Sequence, residues 1–268
     1  MNFESILIYG YGTMSSAMLE GWLASGLAPD SFTVFNPRTK NVPESVAFTD
    51  EIPAASFDAV VLGFKPHMLA DIAPAMQPVC GNGTTVISVL AGVELDTLSR
   101  RFPQARAVVR FMPNLAVALG KSPNAVIGAG LDDGTKENVT DLAERLGTAE
   151  WIADEAQFDL VTALAGSGPG FVYRFIEALA AGGEALGLNG AQAERLAVQM
   201  VEGAAALAAA SPYASGELAA RVASPGGMTQ KGLDVLDRDA ALVRLLTETL
   251  RAARDRGREM AANARDQG

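Results

Sequence analysis

One cysteine and one histidine are all the thiol and imidazole chemistry that this chain of 268 residues contains. Cys80 alone excludes an intrachain disulfide and leaves no thiolate cluster for zinc, and His67 alone cannot build a multi-histidine centre, so no metal is expected. Positive charge is also scarce. Lys and Arg number 21 against 31 Asp and Glu, and the net charge of -10 without a long basic cluster argues against a nucleic-acid partner. Long apolar runs are missing too. The alanine-rich stretch Gly203 to Ala210 is too short to span a bilayer, and Glu4 interrupts the start where a signal peptide needs a continuous apolar core. A soluble cytoplasmic protein without a membrane partner is expected. Its 49% hydrophobic content is enough for a sizeable core, in one large domain or two small ones.

What is present changes character once along the chain. Apolar strand-like runs alternate with helical stretches from Ile6 to about Ile152, at Ser5 to Tyr9, Phe32 to Asn36, Ala59 to Phe64, Thr84 to Val89, Ala105 to Phe111 and Ala125 to Ile127. That alternation predicts a parallel sheet with helices on both faces. After Asp154 the apolar residues recur at helical spacing, as with Phe171, Phe175, Leu179 and Leu186, or Leu242, Leu245, Leu246 and Leu250. The expected fold class is α/β, with a Rossmann-type dinucleotide-binding domain over 1–153 and an all-helical domain over 154–268. Small residues such as Gly182, Gly183 and Gly203 let those helices pack closely, and so apolar a half is expected to bury area against a second copy, as a homodimer or higher homo-oligomer.

The first strand runs straight into Gly10-Tyr11-Gly12-Thr13-Met14-Ser15 and then a helix. Strand, glycine turn and helix in that order form the dinucleotide-binding arrangement: Gly10 permits the tight turn and Gly12 lets a pyrophosphate approach the helix N-terminus. Ser15 replaces the usual third Gly or Ala, and a plain strand-to-helix turn is the alternative reading. Where a site for NAD places Asp or Glu on the ribose 2′-hydroxyl, this chain has Asn36, followed by Pro37, Arg38, Thr39 and Lys40. The pattern favours NADPH, unless Arg38 and Lys40 are only solvated loop charges. Other strand ends carry Lys65-Pro66, Ala91-Gly92 and Met112-Pro113-Asn114, where ligands of open parallel sheets sit. Each is a candidate for the cofactor groove or an ordinary turn.

In the helical half, Ser224-Pro225-Gly226-Gly227-Met228-Thr229 breaks an alanine-rich context in which Pro and paired Gly are costly. Ser224 suits a helix cap and Pro225 a first helical position, and bare Gly226 and Gly227 leave N–H groups open to a carboxylate or phosphate. Thr229 adds a hydroxyl that both donates and accepts. A plain cap between two helices is the other reading. Gly166-Ser167-Gly168-Pro169-Gly170, at the domain border, is likewise either a capping loop or part of an active site.

Together these residues resemble the pyrroline-5-carboxylate reductases over essentially the whole chain. The likeness rests on Gly10, Gly12 and Met14, on Lys65-Pro66, on Met112-Pro113-Asn114, on Gly166-Ser167-Gly168-Pro169 with Phe175-Ile176-Glu177-Ala178-Leu179, and above all on Ser224-Pro225-Gly226-Gly227 with Thr229. The resemblance implies hydride transfer from NADPH or NADH to the C=N carbon of 1-pyrroline-5-carboxylate, giving L-proline in the last step of its biosynthesis. It implies that the last motif holds the substrate carboxylate, often across an interface of interlocked helices. A cyclic imine is basic enough to arrive protonated, which lessens the need for a general acid, and Thr229 is the expected partner of its nitrogen or carboxylate. Departures are Leu115-Ala116 where the family has Thr-Pro, Gly170-Phe171 for Ala-Tyr, and Met228 for Thr. Two other readings stay open: an oxidoreductase of another substrate, either a β-hydroxyacid dehydrogenase or a reductase of a different cyclic imine, and a non-catalytic nucleotide-binding sensor.

Overall fold

The computed structural model describes residues 3–266. They divide into two compact units, one comprising the residues up to Ser167 together with those from Ala252 on, the other Gly168–Arg251.

The first unit is built on an eight-stranded sheet: β1 (Ile6–Tyr9), β2 (Phe32–Phe35), β3 (Ala47–Thr49), β4 (Ala59–Leu62), β5 (Thr85–Ser88), β6 (Ala107–Met112), β7 (Ser122–Ala129) and β8 (Gly147–Trp151). Their spatial order is β3-β2-β1-β4-β5-β6-β7-β8, so the chain changes direction across the sheet between β1 and β4. The strands β1, β4 and β5 are buried from end to end, which is why they read as unbroken apolar runs. Helices α1 (Thr13–Ala24) and α4 (Asp133–Glu144) cover one face, with Met18, Leu19, Trp22, Val139 and Leu142 in its core. Trp22 stacks on Phe32 at 5.6 Å and donates its indole N–H to the carbonyl of Leu142. Helices α2 (Leu69–Met76) and α3 (Leu95–Arg101) cover the other face, over Tyr9, Phe35, Leu62 and Phe102. Cys80 is a fully buried member of that second core.

The sheet departs from the all-parallel expectation at one place. Strand β7 runs antiparallel to β6, with Met112 opposite Ala125 and Val108 opposite Ala129. The link between them is a 3₁₀ turn, Leu115–Leu119, closed by Gly120 at φ +62, and it reverses the chain without the crossover of about a dozen residues that a parallel return requires. Parallel pairing resumes between β7 and β8, across α4. The packing also carries this unit past the expected junction at 153/154. Phe158 is fully buried with Ala125 and Ile127 of the sheet, so the short helix α5 (Phe158–Val161) and the π-helical turn Thr162–Gly166 belong to it. So does the end of the last helix, whose buried Ala261 lies against Gly92.

The second unit is helical throughout, as its apolar spacing predicts: α6 (Gly168–Ala185), α7 (Gly190–Ala210), α8 (Ser215–Val222), α9 (Met228–Asp237) and the start of α10 (Ala241–Asp266). Its buried core is Ala180, Ala193 and Ala197, with Ile176 packed against them. Small side chains let α6 and α7 approach closely. Asn189 caps α7 by accepting the N–H of Gln192.

Candidate functional site

Beyond the carboxyl ends of β1, β2, β4, β5 and β6, which run parallel, lie all the expected cofactor residues. At the first, Gly10 holds φ +95, and a Cβ there would stand 3.0 Å from the backbone of Gly63 and Phe64. The turn thus requires glycine twice over. Gly12 is exposed and forms the N-cap of α1, with no side chain capping the helix; a Cβ would meet only Gly63 O within 4 Å, at 3.9 Å. Nothing in the protein crowds it, so the bare backbone matters only to what approaches from outside. The first helical bond runs from Ser16 N–H to Gly12 O, which leaves the first-turn N–H groups of Thr13 and Met14 without helical partners. Such an uncapped N-terminus fits a pyrophosphate.

Ser15, in the third fingerprint position, is buried and its hydroxyl has no hydrogen-bond partner. It sits against Gly63. A Cβ on Gly63 would fall 2.0 Å from Ser15 Oγ and 2.4 Å from Gly10 O, which makes Gly63 a third glycine of the turn, supplied by β4. Its role is invisible from the motif alone, because its neighbours here are residues far back in the chain.

Asn36 organises the next loop. Its Oδ1 accepts the N–H of Tyr11 at 3.2 Å and its Nδ2 donates to the carbonyl of Arg38 at 2.6 Å, so one side chain joins the glycine turn to the loop bearing Arg38 and Lys40. Arg38 and Lys40 are exposed. Lys65 is exposed as well, and its carbonyl closes the 3₁₀ turn that Pro66 opens. Ala91 is half-buried beside Gly92, which holds φ +76. Asn114 is buried and committed internally: its N–H donates to Ser122 Oγ at 3.0 Å, its Oδ1 accepts from Ala116 N at 2.8 Å and its Nδ2 donates to Ala165 O at 2.9 Å. It shapes its loop from within. Burial raises the phenols of Tyr9 and Tyr11, helped by Cys80 and Glu20 respectively, and pushes the Cys80 thiol up to about 12. These groups are neutral around pH 7.

In the helical unit the Ser224 motif differs from its expected shape. Helix α9 begins at Met228 with Gly227 as N-cap, so Ser224 does not cap it and Pro225 is not its first residue. Instead Gly227 N–H donates to Ser224 O at 2.9 Å around Pro225 and a Gly226 at φ +71, the pattern of a type II turn. The Gly227 N–H is thereby spent within the turn. The helical ladder starts at Lys231 N–H to Gly227 O, so the donors at this helix end are those of Met228, Thr229 and Gln230. Thr229 and Met228 are both exposed, Met228 by 94%.

Comparison with known proteins decides the family. The chain is 31% identical to the pyrroline-5-carboxylate reductase of Pseudomonas aeruginosa, over 97% of this chain and 98% of that one, and 34% identical to that of Pisum sativum, over 94% of each. The chain belongs to the pyrroline-5-carboxylate reductase family. Residues 155–260 match the family profile for pyrroline-5-carboxylate reductase dimerisation, and 5–92 the profile for coenzyme F420-dependent NADP oxidoreductases. Among solved structures, the Coxiella burnetii pyrroline-5-carboxylate reductase superposes with a TM-score of 0.89 at 28% identity, covering 97% of this chain and 99% of that one. The Plasmodium falciparum enzyme, solved with NADP bound, gives 0.82 at 23% identity, covering 96% and 98%. Family membership accounts for the fold class read from the sequence: a Rossmann-type sheet domain followed by a helical dimerisation domain.

Proposed function

We propose that this chain is a cytoplasmic, homodimeric reductase that converts 1-pyrroline-5-carboxylate to L-proline with NADPH as the preferred donor. Near full-length identity to curated pyrroline-5-carboxylate reductases carries the reading. The glycine cradle supports it independently, since Gly10, Gly12 and Gly63 keep side chains away from an uncapped helix N-terminus. A bound reduced nicotinamide supplies the hydride. The chain's own residues bind and orient. Thr13 and Met14 offer first-turn N–H groups to the pyrophosphate, Tyr11 and Asn36 hold the turn in shape, and Arg38, with Lys40, meets a 2′-phosphate that a carboxylate at position 36 would repel. Lys65, Pro66, Ala91 and Asn114 shape the groove towards the nicotinamide end.

In the helical unit, Ser224, Gly226 and Gly227 form the turn that exposes the N-terminus of α9 to the substrate carboxylate, and Thr229 holds the imine nitrogen or carboxylate through its hydroxyl. A substrate that arrives as the iminium needs no acid from the protein. We retain 1–153 as the cofactor-binding part and 154–268 as the part for substrate and dimerisation. Apolar side chains left exposed on the single helical unit support a second copy: Tyr173, Phe175, Leu186, Val243 and Leu246 stand in water in the lone chain.

The deciding experiment follows cofactor absorbance at about 340 nm across a panel of cyclic imines with NADPH and with NADH. Turnover of pyrroline-5-carboxylate with an NADPH preference is expected. Nucleotide binding without turnover of any imine would favour a sensor, and a strong NADH preference would remove the role given to Arg38. Thr229→Ala or a bulky residue at Gly227 is expected to lower kcat/KM for the imine; unchanged values would displace the substrate site.

A further inference from the structure

Arg110 is a charge in the wrong place for an ordinary strand. It stands in β6 between Val109 and Phe111, its side chain is 4% exposed and its Nε has no hydrogen-bond partner. Such a charge is costly unless paired, and a buried pair confers less stability than apolar residues of similar volume. Its partners lie far along the chain. Nη1 donates to Glu155 Oε1 at 2.7 Å, Nη2 lies 3.8 Å from Asp159 Oδ1, and the guanidinium sits 4.1 Å over the Phe158 ring. Glu155 Oε1 also accepts the N–H of Leu95, the first residue of α3.

A second tie lies at the far end of the same segment. Asn114, just past β6, donates to the carbonyl of Ala165 within the π-helical turn, and Ser167 N–H closes that turn onto Thr162 O. Gly166 then passes the loop after β6, where a Cβ would be 3.6 Å from Met112 and 4.0 Å from Pro113 O. Residues 155–167 are thus tethered to one strand by charge at their start and by an amide at their end.

We infer that Arg110 is a positioning residue for hydride transfer: through Glu155 and Asp159 it fixes residues 155–167 so that Ala165 and Gly166 border Met112–Asn114 at the carboxyl edge of the sheet. The inference rests on the reductase reading. It explains why a buried arginine stands where a valine would pack, since geometry, and not stability, is what such a pair specifies.

The test uses full-length Arg110→Lys, which keeps the charge but loses the fork, and Glu155→Gln, which keeps an acceptor for Leu95 but cancels the pairing. Four quantities are measured: kcat per NADPH-binding site, NADPH affinity, thermal midpoint, and amide exchange over 158–167. The expected result is a loss of about tenfold or more in kcat per site with NADPH affinity within about twofold, and faster exchange over 158–167. Unchanged kcat per site overturns the inference, as does a fall in NADPH affinity that matches the fall in kcat, because either assigns Arg110 to stability alone. If the wild type turns over no imine, the reductase reading fails first. Amide exchange then tests the tether by itself, and unchanged exchange over 158–167 in both variants overturns it.

Discussion

The sheet unit and the helical unit of this chain solve the burial problem in opposite ways. The first hides large side chains on both faces of its sheet, with Trp22, Phe32, Phe102 and Phe111 all out of water. The second buries three alanines and leaves Tyr173, Leu186 and Met228 exposed. A unit with so small an interior gains little from its own folding, because most of its apolar area stays in water. The sheet unit packs its glycine cradle on a core of its own, whereas the helical unit leaves most of its large apolar side chains in water.

The largest test of that contrast is aspartate on the uncovered face. If the proposed dimer forms through this face, Phe175→Asp combined with Leu246→Asp is expected to give a monomer by sedimentation and to abolish any rise of the melting temperature with protein concentration. A dimer that withstands both would show that these side chains do not hold the two copies together. Next comes the sheet unit's own weak point. Gly63→Ala places a methyl against Ser15 Oγ and the Gly10 backbone, and should cost about 1–3 kcal/mol in urea unfolding, with weaker NADPH binding. Replacing Ser15 by Gly in that background should restore part of the loss, since the two residues touch.

A smaller effect of opposite sign is expected at the same spot. Ser15→Ala removes a buried hydroxyl without a partner and should stabilise the chain by about 1 kcal/mol, read as a higher urea midpoint with unchanged slope. The smallest concerns Asp132, the N-cap of α4. The Thr135 backbone N–H, then the Thr135 side chain and Arg106, hold its carboxyl below the ordinary value. A depressed pKa contributes stability above the unfolded value, and that contribution disappears as pH falls through the folded one. Asp132→Asn should therefore lower the melting temperature slightly near neutrality, and the gap should close in acid. A gap that persists in acid would show that the ionised carboxylate is not its source.

Much of this architecture is legible in the order of residues, and the illegible parts have identifiable causes. Strands β1, β2, β4, β5 and β6 stand out because burial on both faces demands apolar runs. Strands β3 and β8 do not, since edge strands such as Gly147–Trp151 alternate between half-buried and exposed residues and look like loop. The reversal at β7 depends on Gly120, one glycine among many. At the site, Gly10 and Gly12 announce themselves by spacing, but Gly63 is explained only by Ser15 and the Gly10 carbonyl, from a different strand-to-helix turn. Arg110 is a visible oddity in an apolar strand, yet its partners lie beyond the expected domain boundary, where no local pattern links them. The Ser224 motif was recognisable as a helix entry, but its start moved to Met228 because Gly226 takes a positive φ that closes a turn first.

The one thiol of the chain has a practical side. Cys80 is buried and pushed up to about 12, so in the folded protein it is neither reachable nor ionised, and electrophilic reagents should pass it by. The native sequence is chemically blank without any cysteine having to be removed. A cysteine placed at Leu186, 91% exposed in the lone chain, would be its sole reactive handle. A spin label or fluorophore there would report directly, in solution and without a crystal, how much of that surface the working assembly conceals.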